Sequence, residues 1–146
     1  MTILNVDDDV DDLELFAEAV KKINPSIKCL TAFDGLEAQL LLQNESTLLI
    51  LDYIFLDINM PRMNGLELLA IIKKDKRLSQ IPVCMLSTAY SARDAASIQA
   101  LGAACIQKQS DFHKTVEMLS SILLPTRALL LPGAESLPKS NRYLTF

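Results

Sequence analysis

Five aspartates crowd the start of this chain, immediately after an apolar run typical of a buried strand. In the stretch ILNVDDDVDD at positions 3–12, Asp7, Asp8 and Asp9 are consecutive. Two like charges about 4 Å apart repel by about 4 kcal/mol at an effective dielectric constant near 20. The aspartates must therefore either point outward into water or surround a cation.

Three further polar side chains come at the ends of apolar runs. Asp57 follows YIFL, Ser87 closes PVCMLS and Lys108 follows ACIQ. Taken alone, each has an ordinary explanation, because single charged residues are usually solvated and a serine often caps the end of a strand. Taken together with the acidic run, they form a set of carboxylate, hydroxyl and ammonium groups.

The segments around these residues alternate between two hydrophobic periods. Short apolar runs indicate five strands, at 3–6, 27–32, 53–56, 82–87 and 104–107. Apolar residues three and four positions apart indicate five helices, at 10–23, 35–43, 65–75, 91–101 and 112–124. Strands this apolar, each followed by a helix, predict an α/β fold, a three-layer doubly wound sheet of five parallel strands.

Residues near the predicted helix ends support these boundaries. Gly102 fits the position just after the fourth helix, and Gly65 is expected to serve chain reversal before the third. N-caps are expected at two helix starts, Ser91 and either Ser110 or Asp111. In the second helix the pattern predicts an apolar stripe through Leu36, Ala38, Leu40 and Leu41.

Parallel strands bring their carboxyl ends to one edge of the sheet, where open α/β folds bind ligands. With a strand order of 2-1-3-4-5, strands 1 and 3 are central neighbours, so Asp7, Asp8 and Asp57 would meet there. Mg²⁺ takes oxygen ligands, commonly one or two carboxylates with water and phosphate, so this pocket predicts a magnesium site. The remaining acids of the run are expected at the start of the first helix, in capping or solvated roles, and are Asp9, Asp11 and Asp12.

Phosphoryl transfer onto a carboxylate would use all of these groups. A metal-held carboxylate can act as a nucleophile, and the transfer mainly needs in-line positioning and neutralisation of three phosphoryl oxygens. Mg²⁺ would neutralise one oxygen, Lys108 a second, and the Ser87 hydroxyl with backbone N–H groups a third. The sequence has no GxxxxGK[ST] motif, so ATP is not an evident donor.

Composition favours a single cytoplasmic domain. The chain has 146 residues, is 50% hydrophobic and carries a net charge of -4, which indicates a soluble globular domain without a broad nucleic-acid surface. Neither a signal peptide nor an apolar segment long enough to span a membrane is visible. Three cysteines without CxxC spacing are expected to be reduced core residues, Cys29, Cys84 and Cys105.

These motifs together resemble the receiver domain of two-component response regulators, the CheY-like family. The resemblance covers residues 1–124 and rests on the Asp7-Asp8 pair, on Asp57 in LDINMPRMNG, and on Ser87 and Lys108 at strand ends. It implies a flavodoxin-like (β/α)5 fold with strand order 2-1-3-4-5, and a single-domain regulator. It also implies a phosphoprotein that catalyses its own phosphorylation and dephosphorylation, and not an enzyme acting on a separate substrate.

The family resemblance also implies a role for each site residue. Asp57 would be the phosphoacceptor, receiving phosphate from a histidine kinase or a phosphotransfer protein. Asp8 and Asp57 would bind Mg²⁺ directly, Asp7 would orient a metal-bound water, and the Asn59 carbonyl would be a further ligand. The phosphoryl group would be contacted by Ser87 and Lys108.

Two positions depart from the family pattern. Lys108 is followed by Gln109 where the family usually has a proline, often in a cis bond, so we expect a trans bond, a differently shaped loop and a less firmly aimed Lys108. Cys105 stands where the family usually has a tyrosine or phenylalanine that swings inward on activation. Output would therefore be signalled differently or weakly.

The resemblance places output on the face of the fourth helix, the fifth strand and the fifth helix, through a downstream protein or a homodimer. Neither nucleic acid nor a membrane is expected as a direct partner. Residues 125–146 contain three prolines and are expected to be a C-terminal tail or extension.

Two other functions compete with this interpretation. A receiver-fold scaffold would bind its partners constitutively without being phosphorylated, and the two departures give this alternative some weight. A phosphate-ester hydrolase is disfavoured because Asp57-Ile58-Asn59 lacks the second acid of an Asp-x-Asp motif.

Overall fold

Strands and helices alternate along residues 1–124, the part of the chain that the computed structural model describes. The strands are β1 (Thr2–Val6), β2 (Lys28–Ala32), β3 (Tyr53–Asp57), β4 (Val83–Ser87) and β5 (Ala104–Gln107). The helices are α1 (Val10–Ile23), α2 (Gly35–Gln43), α3 (Glu45–Leu48), α4 (Gly65–Lys74), α5 (Ala92–Ala100) and α6 (Phe112–Leu123). The five predicted strands and the five longer helices are confirmed to within one residue at each end.

The five strands form one parallel sheet in the order β2-β1-β3-β4-β5, which confirms the predicted topology. At the centre of the sheet Val6 pairs with Leu56, and Asp57 pairs with Leu86 one strand further along. This register aligns the carboxyl ends of β1, β3 and β4. The residues that directly follow these three strands therefore lie at one edge of the sheet.

Two apolar clusters, one on each face of the sheet, form the core. Successive residues of β3 point to opposite faces, so Phe55 packs with α1 and α6 while Ile54 packs with α2, α4 and α5. The Phe55 ring meets Phe16 of α1 edge to face, with ring centroids 5.0 Å apart. The sheet is thus covered on both sides, as its apolar strands require.

The helix ends follow the predicted capping chemistry. Gly102 lies just beyond α5 with φ +71°, a backbone conformation that glycine adopts without strain. In residues 1–124 the N-cap side chain of each of the six helices accepts a hydrogen bond from backbone N–H groups of its helix, and these caps are Asp9, Asp34, Asn44, Asn64, Ser91 and Asp111. Of the two N-caps considered for the last helix, Asp111 is therefore the one used.

The buried face of α2 differs from the predicted stripe. Leu36 and Leu40 are 48% and 69% exposed, whereas the buried residues of the helix are Gly35, Ala38 and Leu42. The sequence GLEAQLLLQ is apolar on nearly every side, so its periodicity selects no single face. Packing against the sheet and α4 determines which leucines are covered.

The short helix α3 was not predicted. The Asn44 side chain begins it by accepting hydrogen bonds from the N–H groups of Ser46 and Thr47, at 2.9 and 3.3 Å. Since Asn44 is also the C-cap of α2, one asparagine both ends α2 and starts α3. A four-residue helix has too few positions to show an apolar period.

All three cysteines pack in the two apolar clusters, Cys84 as a buried member and Cys29 and Cys105 as partly buried ones. The three cysteines are free, but only Cys84 is fully buried. Burial raises the pKa of Cys29 to about 11 and that of Cys84 to about 12.

The predicted C-terminal tail, 125–146, lies outside the described residues. Among residues 1–124, no helix combines the length and apolar character needed to cross a membrane.

Gly65, the first residue of α4, is required by close contact and not by chain reversal as predicted. A Cβ atom at this position would lie 2.1 Å from the carbonyl oxygen of Asp57 and 2.9 Å from the Met85 side chain. Its N–H donates to the Ile58 carbonyl at 2.9 Å. The start of α4 therefore packs directly against the backbone that carries Asp57.

We expect Gly65→Ala to lower the free energy of unfolding by about 3 kcal/mol, because the added methyl group overlaps backbone atoms that cannot move aside. Urea denaturation measures the loss. Gly35→Ala is the matched control, since Gly35 also begins a helix but the three atoms nearest to its Cβ, 2.9–3.0 Å away, belong to the Met63 side chain and not to the backbone. Equal losses in the two variants would contradict the contact explanation.

Candidate functional site

Three carboxylates meet where β1 and β3 end. Asp7 and Asp57 are buried, at 2% and 6% exposure, while Asp8 points into solvent. One oxygen atom from each of the three carboxylates lies within 4.8 Å of the other two. Oxygen atoms so arranged are the ligands that hard divalent cations prefer. The predicted convergence of these acids is therefore present, and the three carboxylates could hold a divalent cation.

Lys108 follows β5 and reaches across the sheet edge into this cluster. Its Nζ lies 2.7 Å from Asp7 Oδ2, 2.8 Å from Asp12 Oδ2 and 3.0 Å from Asp57 Oδ1. The lysine side chain is only 13% exposed. An ammonium group has three N–H donors, so each donor faces a different carboxylate.

Asp12 is the site residue that the sequence analysis missed. It was expected to have a capping or solvated role at the start of the first helix, yet its carboxylate forms an ion pair with Lys108. The cap at Asp9 fixes where α1 begins and so places Asp12 in the first turn. The sequence did contain a signal for this role of Asp12. Asp12 precedes the buried Phe16 by one helical turn, so it lies beside the face of α1 that packs against the sheet.

Burial and ion pairing oppose each other in this cluster. Burial raises the pKa of Asp7 more than the hydrogen bonds from Lys108 and the Asp9 N–H lower it. Burial likewise raises the pKa of Asp57, and the hydrogen bond from Lys108 only partly offsets it. For Lys108, burial disfavours the charge, but hydrogen bonds to the three carboxylates outweigh burial and raise its pKa. The negative charge is therefore only partly neutralised by the protein itself.

Ser87, the last residue of β4, is fully buried beside the cluster. Its Oγ donates to the Ala89 carbonyl at 2.6 Å and accepts from the Ala89 N–H at 3.3 Å. The Asn59 side-chain amide donates to the same hydroxyl at 3.5 Å. The hydroxyl is thus engaged within its own loop, next to the strand that carries Asp57. The Asn59 carbonyl as a metal ligand stays a prediction.

The loop after Lys108 is held without a proline. Residues 1–124 contain no cis peptide bond, which agrees with the trans bond expected before Gln109. The Lys108 N–H donates to the Ser87 carbonyl at 2.8 Å. The Thr115 hydroxyl of α6 donates to the Asp111 carbonyl at 2.9 Å and to the Gln109 carbonyl at 3.4 Å. Lys108 pairs with three carboxylates, and the expected looser aim relative to the family stays a prediction.

Cys105 of β5 has an aromatic neighbour from another element. Burial raises the pKa of the Cys105 thiol, and a hydrogen bond with the Tyr90 side chain partly offsets the rise. Tyr90 lies three residues after Ser87 and is 41% exposed. An aromatic ring therefore flanks this position from the β4–α5 loop, although β5 itself carries none there.

Comparisons with known proteins agree with this geometry. A sequence profile described as "Response regulator receiver domain" matches residues 3–120. Response regulator Rcp1 of Synechocystis sp. is 32% identical over 144 residues, and the alignment covers 90% of this chain and 93% of Rcp1. The chain spans only 27% to 49% of three further curated relatives, so the activities of those longer proteins are not transferred.

Solved structures give the same result. The crystal structure of the phosphorylated cyanobacterial phytochrome response regulator RcpA superposes with a TM-score of 0.75 at 31% identity, covering 86% of this chain and 94% of RcpA. The crystal structure of the Mn²⁺-bound form of Rcp1 gives a TM-score of 0.73 at 30% identity, covering 86% and 95%. Fold and site geometry thus agree with one family.

We expect Asp57→Asn, without added metal, to be about 1 kcal/mol more stable than the wild type at neutral pH, because it removes a buried and only partly neutralised charge. The pKa of Asp57 is raised in the folded state, so the folded wild type binds this proton more readily than the unfolded chain. The stability advantage of the variant should therefore shrink as the pH falls through the raised pKa toward the ordinary aspartate range.

Urea denaturation across pH 4 to 8 is the measurement. Glu18→Gln is the matched control, since it removes one charge from an exposed residue of α1 and should change stability by less than about 0.5 kcal/mol. A variant less stable than the wild type at neutral pH would show that Lys108 fully compensates Asp57.

Proposed function

Because the chain belongs to the response regulator receiver domain family of two-component signalling, we propose that it is a phosphoacceptor whose Asp57 takes a phosphoryl group from a phosphohistidine donor. The donor is a histidine kinase or a phosphotransfer protein. The observation that carries this proposal is the position of Asp57, buried beside two other carboxylates with Lys108 Nζ 3.0 Å from its Oδ1.

The chemistry is a transfer between two side chains. A carboxylate oxygen of Asp57 forms the new P–O bond while the P–N bond of the donor breaks, and the departing imidazole nitrogen keeps the electron pair. Lys108 already lies beside the Asp57 oxygen and would donate to a phosphoryl oxygen. Water hydrolyses the resulting acyl phosphate and returns the carboxylate. The same site is proposed to catalyse this dephosphorylation.

Mg²⁺ is the proposed metal. Asp8 and Asp57 would bind it directly, Asp7 through a water molecule, and the Asn59 carbonyl would add a further ligand. When bound, the ion supplies positive charge that stabilises the phosphoryl oxygens. The donor set fits this ion because three carboxylates surround a single ammonium group and Asp8 adds a fourth carboxylate to the cluster, which leaves negative charge to be neutralised.

The proposed switch begins at Ser87. To contact a phosphoryl group, its hydroxyl must give up the 2.6 Å hydrogen bond to the Ala89 carbonyl. Ala89 precedes Tyr90, whose side chain lines the same groove as Cys105 and lowers the pKa of its thiol. Rearrangement of this loop would therefore reach β5 through Tyr90, in place of an aromatic residue carried by β5 itself.

Output is proposed on the face formed by α5, β5 and α6, through a downstream protein or a homodimer. A groove of about 680 Å³ lies on this face and is lined by Tyr90, Gln99, Cys105, Ile106 and Ile122, among others. Two of these residues, Tyr90 and Cys105, belong to the proposed switch. A change at Ser87 would thus alter the surface that a partner contacts.

Incubation with acetyl phosphate and Mg²⁺ should add the mass of one phosphoryl group to the wild type and none to Asp57→Ala. Intact-mass spectrometry measures the product. Asp11→Ala, which removes an exposed aspartate from the same acidic run, should be phosphorylated like the wild type. Absence of any adduct on the wild type would favour the alternative of a receiver-fold scaffold that binds partners without phosphorylation.

Asp8→Ala should weaken Mg²⁺ binding by about tenfold or more, since it removes a charged ligand of the ion. Titration calorimetry measures the affinity. Asp11→Ala again serves as control and should bind Mg²⁺ within about twofold of the wild type, because only long-range charge is lost. Unchanged affinity in Asp8→Ala would refute the metal assignment.

Lys108→Ala should still accept phosphate on Asp57 but should lose the response of the β4–α5 loop, because the group that joins the phosphoryl oxygens to β5 is gone. NMR signals of Tyr90 and Cys105, recorded before and after phosphorylation, report that response. Lys114→Ala removes the same charge from an exposed position of α6 and should respond like the wild type. A full response in Lys108→Ala would show that the lysine does not couple site and surface.

A further inference from the structure

Asn5 is a polar residue of β1, which lies between β2 and β3 in the sheet. It is 1% exposed, and its Oδ1 is the one fully buried side-chain nitrogen or oxygen atom in residues 1–124 that has no hydrogen-bond partner. A buried amide oxygen without a partner is unfavourable, so such atoms are rare in folded proteins. An apolar residue would fill this core position more simply, which raises the question of what Asn5 does there.

Asn5 lies directly beneath the acidic site. Side chains two residues apart on a strand share a face, so Asn5 and Asp7 point to the same side of the sheet. On that side a cavity of about 30 Å³ is lined by Asn5, Asp7, Asp12, Phe16, Lys108 and Thr115, among others. A water molecule needs roughly 10–15 Å³ of such space and two or more polar partners, and this cavity offers both.

We propose that Asn5 is a positioning residue for Asp7 and acts through one water molecule bound in this cavity. The water donates one hydrogen to Asn5 Oδ1 and the other to the Asp7 carboxylate. Lys108 is not the partner, because its three N–H groups already face three carboxylates.

Asp7 retains capacity for this further hydrogen bond. Its Oδ2 pairs with Lys108 at 2.7 Å and its Oδ1 accepts from the Asp9 N–H at 3.0 Å, and each carboxylate oxygen can accept a second bond. The lysine and the Asp9 N–H hold the carboxylate from the solvent edge, while the water holds it from the core. Asp7 is then fixed from both sides at the orientation it needs beside the metal, a consequence that rests on the proposed function.

Asn5→Leu tests the proposal, since leucine has a similar size and removes the amide. Loss of a partner that orients a metal ligand typically weakens metal binding by 10- to 100-fold, so we expect a decrease of about tenfold in Mg²⁺ affinity by calorimetry. Asn5→Ser keeps a hydrogen-bonding oxygen and should bind Mg²⁺ within about threefold of the wild type. Ile3→Leu, a volume-conserving change on the same face of β1 and away from the cavity, should leave affinity unchanged.

A second measurement is independent of metal and phosphate. A high-resolution crystal structure of the metal-free wild type should show a water within hydrogen-bond distance of Asn5 Oδ1 and Asp7, and that of Asn5→Leu should lack it. A dry cavity, or an Asn5→Leu variant with wild-type Mg²⁺ affinity and higher stability to urea, would overturn the proposal and leave the phosphoacceptor function intact. A wild type that binds no Mg²⁺ would instead refute the proposed function, and the crystal structures would still decide the role of Asn5.

Discussion

The charge imbalance around Lys108 is the constraint on which the site depends. One ammonium group faces Asp7, Asp12 and Asp57, while Asp8 completes the acidic cluster from the solvent side. The lysine holds the buried acids together, but it cannot neutralise all of them. The protein therefore keeps a site that gains from additional positive charge, such as a divalent cation would supply.

The fold serves this constraint by bringing distant residues to one sheet edge. The parallel register aligns the ends of β1, β3 and β4, and the loop after β5 carries Lys108 to them. Rigid support comes from the core side, where Gly65 allows α4 to pack against the backbone of Asp57. The hydroxyl of Thr115 holds the loop after Lys108. These contacts hold the loop at the place where the family usually has a proline.

Much of this arrangement could be predicted from the sequence because its signals are periodic or local. Apolar runs and helical spacing defined the strands and the longer helices, and the acids after β1 and β3 follow from the parallel topology. The failures have physical causes. The helix α2 is apolar on nearly every side, so its sequence did not predict which face is buried. Tertiary packing selects that face. Asp12 and Asn5 required knowing which helix and which cavity lie beside Asp7, and Gly65 required knowing how near α4 approaches β3. Such contacts depend on the distances between helices and strands in the folded protein. The spacing of residues in a single sequence does not give these distances.

The hydrogen bond between Ser87 and the Ala89 carbonyl has a consequence for the resting protein. In the phosphorylated protein, moving the hydroxyl to a phosphoryl oxygen would exchange one hydrogen bond for another at little net cost in free energy. In the resting protein no phosphoryl oxygen is present, so a loop position that breaks this bond leaves the hydroxyl unpaired and would be the minor one. A ligand that binds the minor position would shift the ratio of the two without creating a new state. A partner selecting the minor position would then raise the fraction of molecules poised for modification, so partner and phosphate donor would reinforce each other through the same serine.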